Sequence, residues 1–139
     1  MRIYLASRYS RRVEMLCIRS KLEALGHTVI SRWLETEWVN RPNQSSAAPP
    51  EYREKYALID LEDIDKCTLM INFTEPPGIA NAGRGGRHVE FGYALAKKKT
   101  IIVVGHRENL FHEHPSVLFA DNDYAMWKIV LELAAGEDR

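Results

Sequence analysis

Short apolar runs alternate with amphipathic stretches along this chain. Arg2–Ala6 is a β-rich run, and Ser7 or Ser10 is placed to cap the helix that follows, with Glu14 in its first turn. Val13, Leu16, Cys17, Leu22 and Leu25 recur at helical spacing, and Gly26 stands where a helix commonly stops. His27–Ile30 reads as a second strand, so the opening is a strand–helix–strand unit with parallel pairing. Trp33–Pro50 is irregular, and its Asn40–Pro50 half has the composition of a surface loop. Trp33 and Trp38 either line a pocket wall or pack in the core. A helix resumes over Glu51–Lys66, with Tyr52, Tyr56 and Asp60 on one stripe and Leu58, Leu61, Ile64 and Cys67 on other faces.

Thr68–Phe73 is a third strand, broken by Thr74–Gly78. A glycine-rich segment then opens an apolar helix that the lysines Lys97–Lys99 close, before the buried strand Thr100–Val104. A second long loop, Gly105–Pro115, leads to a strand at Val117–Ala120. A final helix follows the acids Asp121–Asp123, packed through Ala125, Ile129 and Leu133. Strands alternating with helices predict an α/β three-layer sandwich with about five parallel strands. The whole chain, residues 1–139, reads as a single domain.

Composition narrows the function. Hydrophobic residues make up 45% and charged residues 27%, as in a soluble globular protein. The 19 basic and 19 acidic residues cancel, which argues against polymeric nucleic acid or an anionic membrane as partner. No apolar run approaches the length of a membrane span, and the N-terminus has no signal-peptide architecture, so the cytoplasm is the expected compartment. Cys17 and Cys67 sit in apolar patterns without metal-ligand spacing and read as buried thiols. His106, His112 and His114 lack an arrangement typical of a metal site, so no metal is expected.

In a parallel sheet of this kind, ligands bind beyond the carboxyl ends of the strands, near the switch in strand order. The loops there carry Ser7–Ser10, Thr74–Arg87 and Gly105–Pro115, so Arg84, Arg87, Glu90, Asn109 and Tyr4 are expected to converge. The segment Gly83-Arg84-Gly85-Gly86-Arg87-His88-Val89-Glu90 gives a backbone able to approach a ligand closely, followed by a carboxylate expected in the first turn of the helix. Glu90 is then either a helix-start acid favoured by the dipole or a catalytic group. A carboxylate in a pocket with a second carboxylate and a tyrosine suits nucleophilic chemistry at an anomeric carbon. Asp60 is the second carboxylate; its alternative is a solvated residue on an acidic helix that also carries Glu62, Asp63 and Asp65. Arg84 and Arg87 on a glycine-rich loop also suit a phosphate, although the segment is neither a Walker loop nor Gly-x-Gly-x-x-Gly.

Four stretches in order, Arg2-Ile-Tyr-Leu-Ala-Ser7, Ala57-Leu-Ile-Asp60-Leu, Gly85-Gly86-Arg87-His88-Val89-Glu90-Phe-Gly-Tyr-Ala94 and Arg107-Glu-Asn109-Leu-Phe-His112, resemble the nucleoside 2-deoxyribosyltransferase family. That family includes the related 2′-deoxynucleoside 5′-phosphate N-hydrolases. The resemblance spans nearly the whole chain apart from Trp33–Pro50, and it implies a flavodoxin-like fold and a retaining double displacement at the N-glycosidic bond. Glu90 matches the nucleophile that forms a deoxyribosyl ester, Tyr4 the tyrosine that orients it, and Asp60 the aspartate that handles the proton of the base. Ser7, Gly85, Gly86, Arg84 and Arg87 are expected to bind substrate. Asn109 matches an asparagine that reaches a sugar hydroxyl in the neighbouring subunit's site. The family works without metal or organic cofactor, as dimers or dimer-based homo-oligomers acting on nucleosides or nucleotides and nucleobases.

One position departs from the pattern. Where transferases usually carry an aspartate six residues before the nucleophile, and the N-hydrolases a small hydroxylated residue that holds the 5′-phosphate, this chain has Arg84. Transfer of 2-deoxyribose between bases, with water as an occasional acceptor, is the expected activity. Hydrolysis of a deoxynucleoside 5′-monophosphate is the first alternative, and a non-catalytic nucleotide-binding module the second.

Overall fold

The computed structural model describes residues 1–36, 49–78 and 85–137. Its strands are β1 (Arg2–Ala6), β2 (Thr28–Val29), β3 (Leu69–Phe73), β4 (Thr100–Val104) and β5 (Val117–Ala120), and its helices α1 (Arg12–Ala24), α2 (Pro50–Lys66), α3 (Gly86–Ala96) and α4 (Asp123–Glu137). The strands form one parallel sheet in the order β2-β1-β3-β4-β5, a flavodoxin-like arrangement. The chain steps from β1 to β2 in one direction and then crosses to β3 on the other side, so the order switches between β1 and β3. Tyr4 is in register with Met70, and Ala6 with Asn72.

All five β3 residues are buried, as a central parallel strand covered on both faces requires. Helices α2 and α3 pack on each other and over β1, while α4 covers β4 and β5. The α2–α3 pairing is pinned by polar contacts at its far end. The Tyr93 hydroxyl donates to both Asp65 oxygens (2.8 and 2.9 Å), and Lys99 Nζ donates to the Asp65 carbonyl (2.7 Å).

Several local expectations change. Neither Ser7 nor Ser10 caps α1; the chain enters that helix through a 3-10 turn at Tyr9–Arg11 with no side-chain cap. Ser7 Oγ instead donates to the neighbouring Arg8 carbonyl (3.0 Å). Gly26 does end the helix, at φ 92°, a conformation a side chain would strain. Trp33 belongs to the core rather than to a pocket wall: it is 8% exposed and its indole N–H donates to the Leu5 carbonyl (2.8 Å). Trp38 lies outside the described residues. Cys67 is buried as expected, and burial pushes its thiol up to about 11, but Cys17 is exposed on α1. The apolar spacing that suggested a buried thiol there also leaves Val13 exposed, because α1 is covered on one side only. Among the described residues, no helix is long and apolar enough to cross a membrane.

Candidate active site

Tyr4 occupies the centre of β1 and is fully buried, its ring directed to the face that α2 and α3 cover. Its hydroxyl donates a very short hydrogen bond to Glu90 Oε2. Gly85, at φ 94°, precedes α3 and lets the chain turn directly into the helix, which starts at Gly86. Glu90 is therefore one full turn inside α3 rather than in its first turn, which contains no acid. The glycines that suggested a loop ahead of the helix are the helix start itself. Glu90 is consequently not a capping acid, and the dipole is not what governs its charge.

Burial governs it instead. Burial first, and the charge of Asp60 second, raise the Glu90 carboxyl to about 8, against the opposing hydrogen bond from Tyr4. Asp60, late in α2, is raised to about 7 by burial and then by the charge of Asp63, with Arg32 acting in the other direction. One Asp60 oxygen is buried without a hydrogen-bond partner among the described residues. Burial and the charges of Glu90 and Asp60 together hold the Tyr4 hydroxyl well above its ordinary range. Three elements distant in sequence thus set a tyrosine and two carboxyls against each other. Two buried carboxyls that feel each other titrate as a pair, and near neutrality they hold about one proton between them.

A second cluster lies at the carboxyl edge of the sheet. Arg87, 6% exposed in the first turn of α3, grips Glu108 through its two terminal guanidinium nitrogens, with Nη2 to Oε2 at 2.8 Å. Glu108 also accepts from the Glu75 backbone N–H (3.2 Å), and its own N–H donates to His112 Nδ1 (3.0 Å). Burial alone would raise the Glu108 carboxyl, but the Arg87 hydrogen bond and charge prevail and leave it below its ordinary value. Glu75 meets Arg11 (3.3 Å) and Arg8 (3.5 Å). His112 is 1% exposed, with its ring edge against Phe91 at 4.7 Å between centroids.

Of the residues expected to bind substrate, Gly85, Gly86 and Arg87 lie at the start of α3, and Ser7 follows β1. Asn109 caps the 3-10 turn at Leu110–Glu113, its Oδ1 accepting from the Phe111 N–H (2.9 Å). Its amide nitrogen lies 3.5 Å from Nδ1 of His88, whose Nε2 is 3.8 Å from Glu108, so Asn109 joins the second cluster. Arg84 lies outside the described residues. Sequence reasoning passed over Asp63, His88 and Asn72. Asn72 lies on the same sheet face as Tyr4, one row nearer the carboxyl edge, fully buried, with neither carboxamide atom partnered among the described residues. An asparagine inside an otherwise apolar central strand was the available signal.

Structural comparison places this arrangement among known folds. The CMP N-glycosidase BcmB of Clostridium botulinum superposes with a TM-score of 0.56 at 22% identity, over 94% of this chain and 98% of that one. A 2-deoxyribosyltransferase of Bacillus psychrosaccharolyticus gives 0.57 at 22% identity, over 80% and 79%. The chain shares the fold of these two proteins. Comparison with protein-family models and with curated proteins gives no match. Within this fold, the centre built from β1, α2 and α3 is the candidate active site, since it sits beside the switch between β1 and β3.

Proposed function

We propose that this protein cleaves the N-glycosidic bond of a nucleoside and passes the 2-deoxyribosyl group to another nucleobase, or to water. The observation that carries the reading is the Tyr4 hydroxyl donating to the carboxylate of Glu90, with Asp60 as a second buried carboxyl acting on both. Glu90 attacks the anomeric carbon as the C–N bond breaks and forms a glycosyl ester. Asp60 delivers its proton to the departing base, and the incoming base or water then displaces Glu90 by the reverse path. Tyr4 orients the carboxylate and holds charge on it when the shared proton rests on Asp60.

A second reading, hydrolysis of a nucleoside 5′-monophosphate, is favoured by the near-complete overlap with the CMP N-glycosidase. Against it, Arg87 is engaged by Glu108, and Arg8 and Arg11 by Glu75, so these arginines already face carboxylates. The deciding experiment supplies deoxynucleosides with and without an acceptor base, and nucleoside monophosphates separately, and follows free base and new nucleoside by chromatography. Transfer is expected with deoxynucleosides. A hundredfold preference for monophosphates replaces the transferase reading with the hydrolase one, and no release of base from any of them removes both.

A homodimer with shared sites goes with this reading. Asn109 stands beside Leu110 and Phe111, which are 74% and 57% exposed, an apolar edge suited to a second subunit. Mixing Glu90→Ala and Asn109→Ala protomers under subunit exchange should regenerate active sites. No recovery despite confirmed exchange places each site within one subunit.

A further inference from the structure

Glu90 acts only where α3 points it, and the loop after β4 holds that helix from one side. Three α3 residues around Glu90 meet that loop. Arg87, three positions before Glu90, takes both carboxylate oxygens of Glu108. His88, two positions before it, lies 3.8 Å from Glu108 through Nε2 and 3.5 Å from the Asn109 amide through Nδ1. Phe91, one position after it, meets the His112 ring at 4.7 Å between centroids. Glu108 ties these contacts together. Its N–H donates to His112 Nδ1 (3.0 Å), and its carboxylate also accepts from the N–H of Glu75 (3.2 Å), just beyond β3. At about 3.6 residues per turn, Arg87 and Phe91 lie about 60° and 100° to one side of Glu90, and Tyr93 about 60° to the other. Tyr93 is tied to Asp65 of α2. The two ties together set the rotation of α3 about its own axis, and that rotation decides whether the Glu90 carboxylate meets the Tyr4 hydroxyl on β1. The tolerance is small. A carboxylate about 5–6 Å from a helix axis moves about 1 Å for a rotation of about 10°, and a misplacement of about 1 Å can cost about a hundredfold in rate.

We propose that Glu108 is a positioning residue for Glu90: through Arg87 and His112 it fixes the rotation of α3 that brings the Glu90 carboxylate onto Tyr4. The inference rests on the reading of Glu90 as nucleophile, and it gives a task in that reaction to a carboxylate outside the candidate centre. The grip needs an acceptor at both oxygens. A carboxamide in the same place keeps one acceptor and turns an NH2 group toward the remaining donors, the Arg87 guanidinium among them. With that grip loosened, the loop side of α3 relaxes while the Tyr93–Asp65 tie stays, so the helix turns and carries Glu90 away from the Tyr4 hydroxyl.

The test separates this grip from stability. Glu108→Gln leaves the buried Arg87 cation poorly paired, so a lower Tm is expected from that alone. Two further readouts are taken below the variant's Tm. One is the kcat and KM for a deoxynucleoside. The other is the carbon NMR resonance of Tyr4 Cζ in protein isotopically labelled at the tyrosine Cζ, assigned by its absence from Tyr4→Phe. In Glu108→Gln, kcat should fall about tenfold or more with KM within about twofold. The Tyr4 resonance should move toward its position in Glu90→Ala, where the acceptor is gone. Arg87→Met combined with Glu108→Gln removes the poorly paired cation and should regain most of the lost Tm, while kcat stays low and the resonance stays displaced. Recovery of kcat along with Tm in that double variant means a role confined to stability and overturns the proposal. So does a Tyr4 resonance that stays in its wild-type place in both variants. Glu108→Asp, which keeps the charge and shortens the reach by one methylene, is read in the same two ways and serves if the other variants do not fold. Because the resonance needs no turnover, a displaced Tyr4 signal in variants of a protein that cleaves no nucleoside refutes Glu90 as nucleophile and leaves the hold of Glu108 on α3 demonstrated. Cleavage in the wild type with an unmoved signal in the variants refutes the hold alone.

Discussion

Two groups of carboxylates in this molecule live under opposite rules. Around Tyr4, Glu90 and Asp60 are two buried carboxyls, the Tyr4 hydroxyl donates to Glu90, and the Arg32 guanidinium is held by Asp63. Both carboxyls are raised, because burial penalises their charge and neither has a cation of its own. At the carboxyl edge, Glu108 and Glu75 each meet arginine, and Glu108 is lowered although it too is partly buried. Carboxylates thus end up raised in one place and lowered in the other. The presence of a dedicated cation makes the difference.

The sharpest way to break the comparison is to delete the proposed nucleophile. Glu90→Ala should abolish glycosidic cleavage by about a thousandfold or more in kcat/KM while the protein stays folded. Activity within tenfold of wild type removes Glu90 from the role. At the paired cluster the corresponding deletion should act on stability first. Arg87→Ala leaves Glu108 without its cation and should cost about 3–5 kcal/mol in denaturant unfolding. A variant of wild-type stability whose KM rises about tenfold for monophosphates alone would assign Arg87 to a phosphate instead.

A smaller effect separates the two members of the raised pair. Asp60→Asn should slow cleavage about a hundredfold for poor leaving bases and less for good ones, since only the former depend strongly on the proton. Tyr4→Phe should give the milder loss, because orientation goes and the nucleophile stays. Equal losses across leaving groups in Asp60→Asn would mean a positioning role for Asp60.

The smallest effects are in stability against pH, and the two regions should have opposite signs. Glu90 and Asp60 are raised in the folded state, so folding takes up protons that the unfolded chain has released. Stability from this pair is greatest below about pH 4 and declines as pH rises toward about 8. Glu90→Gln should therefore match wild type near pH 4 and exceed it by about 1–3 kcal/mol at pH 8. Glu108 is lowered, so its contribution is present at neutral pH and is lost as pH falls through its folded value. Glu108→Gln should be less stable than wild type at pH 7, with the gap closing near pH 3. Parallel curves for both variants would erase the distinction between the clusters.

The sequence by itself determined the order of elements. Apolar runs bounded by Gly26, Thr74–Gly78 and Gly105 can only be short buried strands separated by helices, and that alternation leads to a parallel sheet. It also picked out Tyr4, Asp60 and Glu90, through local composition and the ordered motifs. What it left undecided were quantities that depend on neighbours from elsewhere in the chain. Glu90 was expected at a helix start, charged by the dipole, because glycine reads as loop; the left-handed Gly85 instead puts the helix start at Gly86 and Glu90 a turn deeper. Asp60 and Asp63 look alike on an acidic helix. Only burial, with Asp63 beside it, makes Asp60 a raised acid, and only the Arg32 turn makes Asp63 a paired anion. Helix and strand follow from periodicity within a dozen residues. The charge state of a carboxyl follows from burial and from partners up to 86 residues away, and these exist only once the chain has folded.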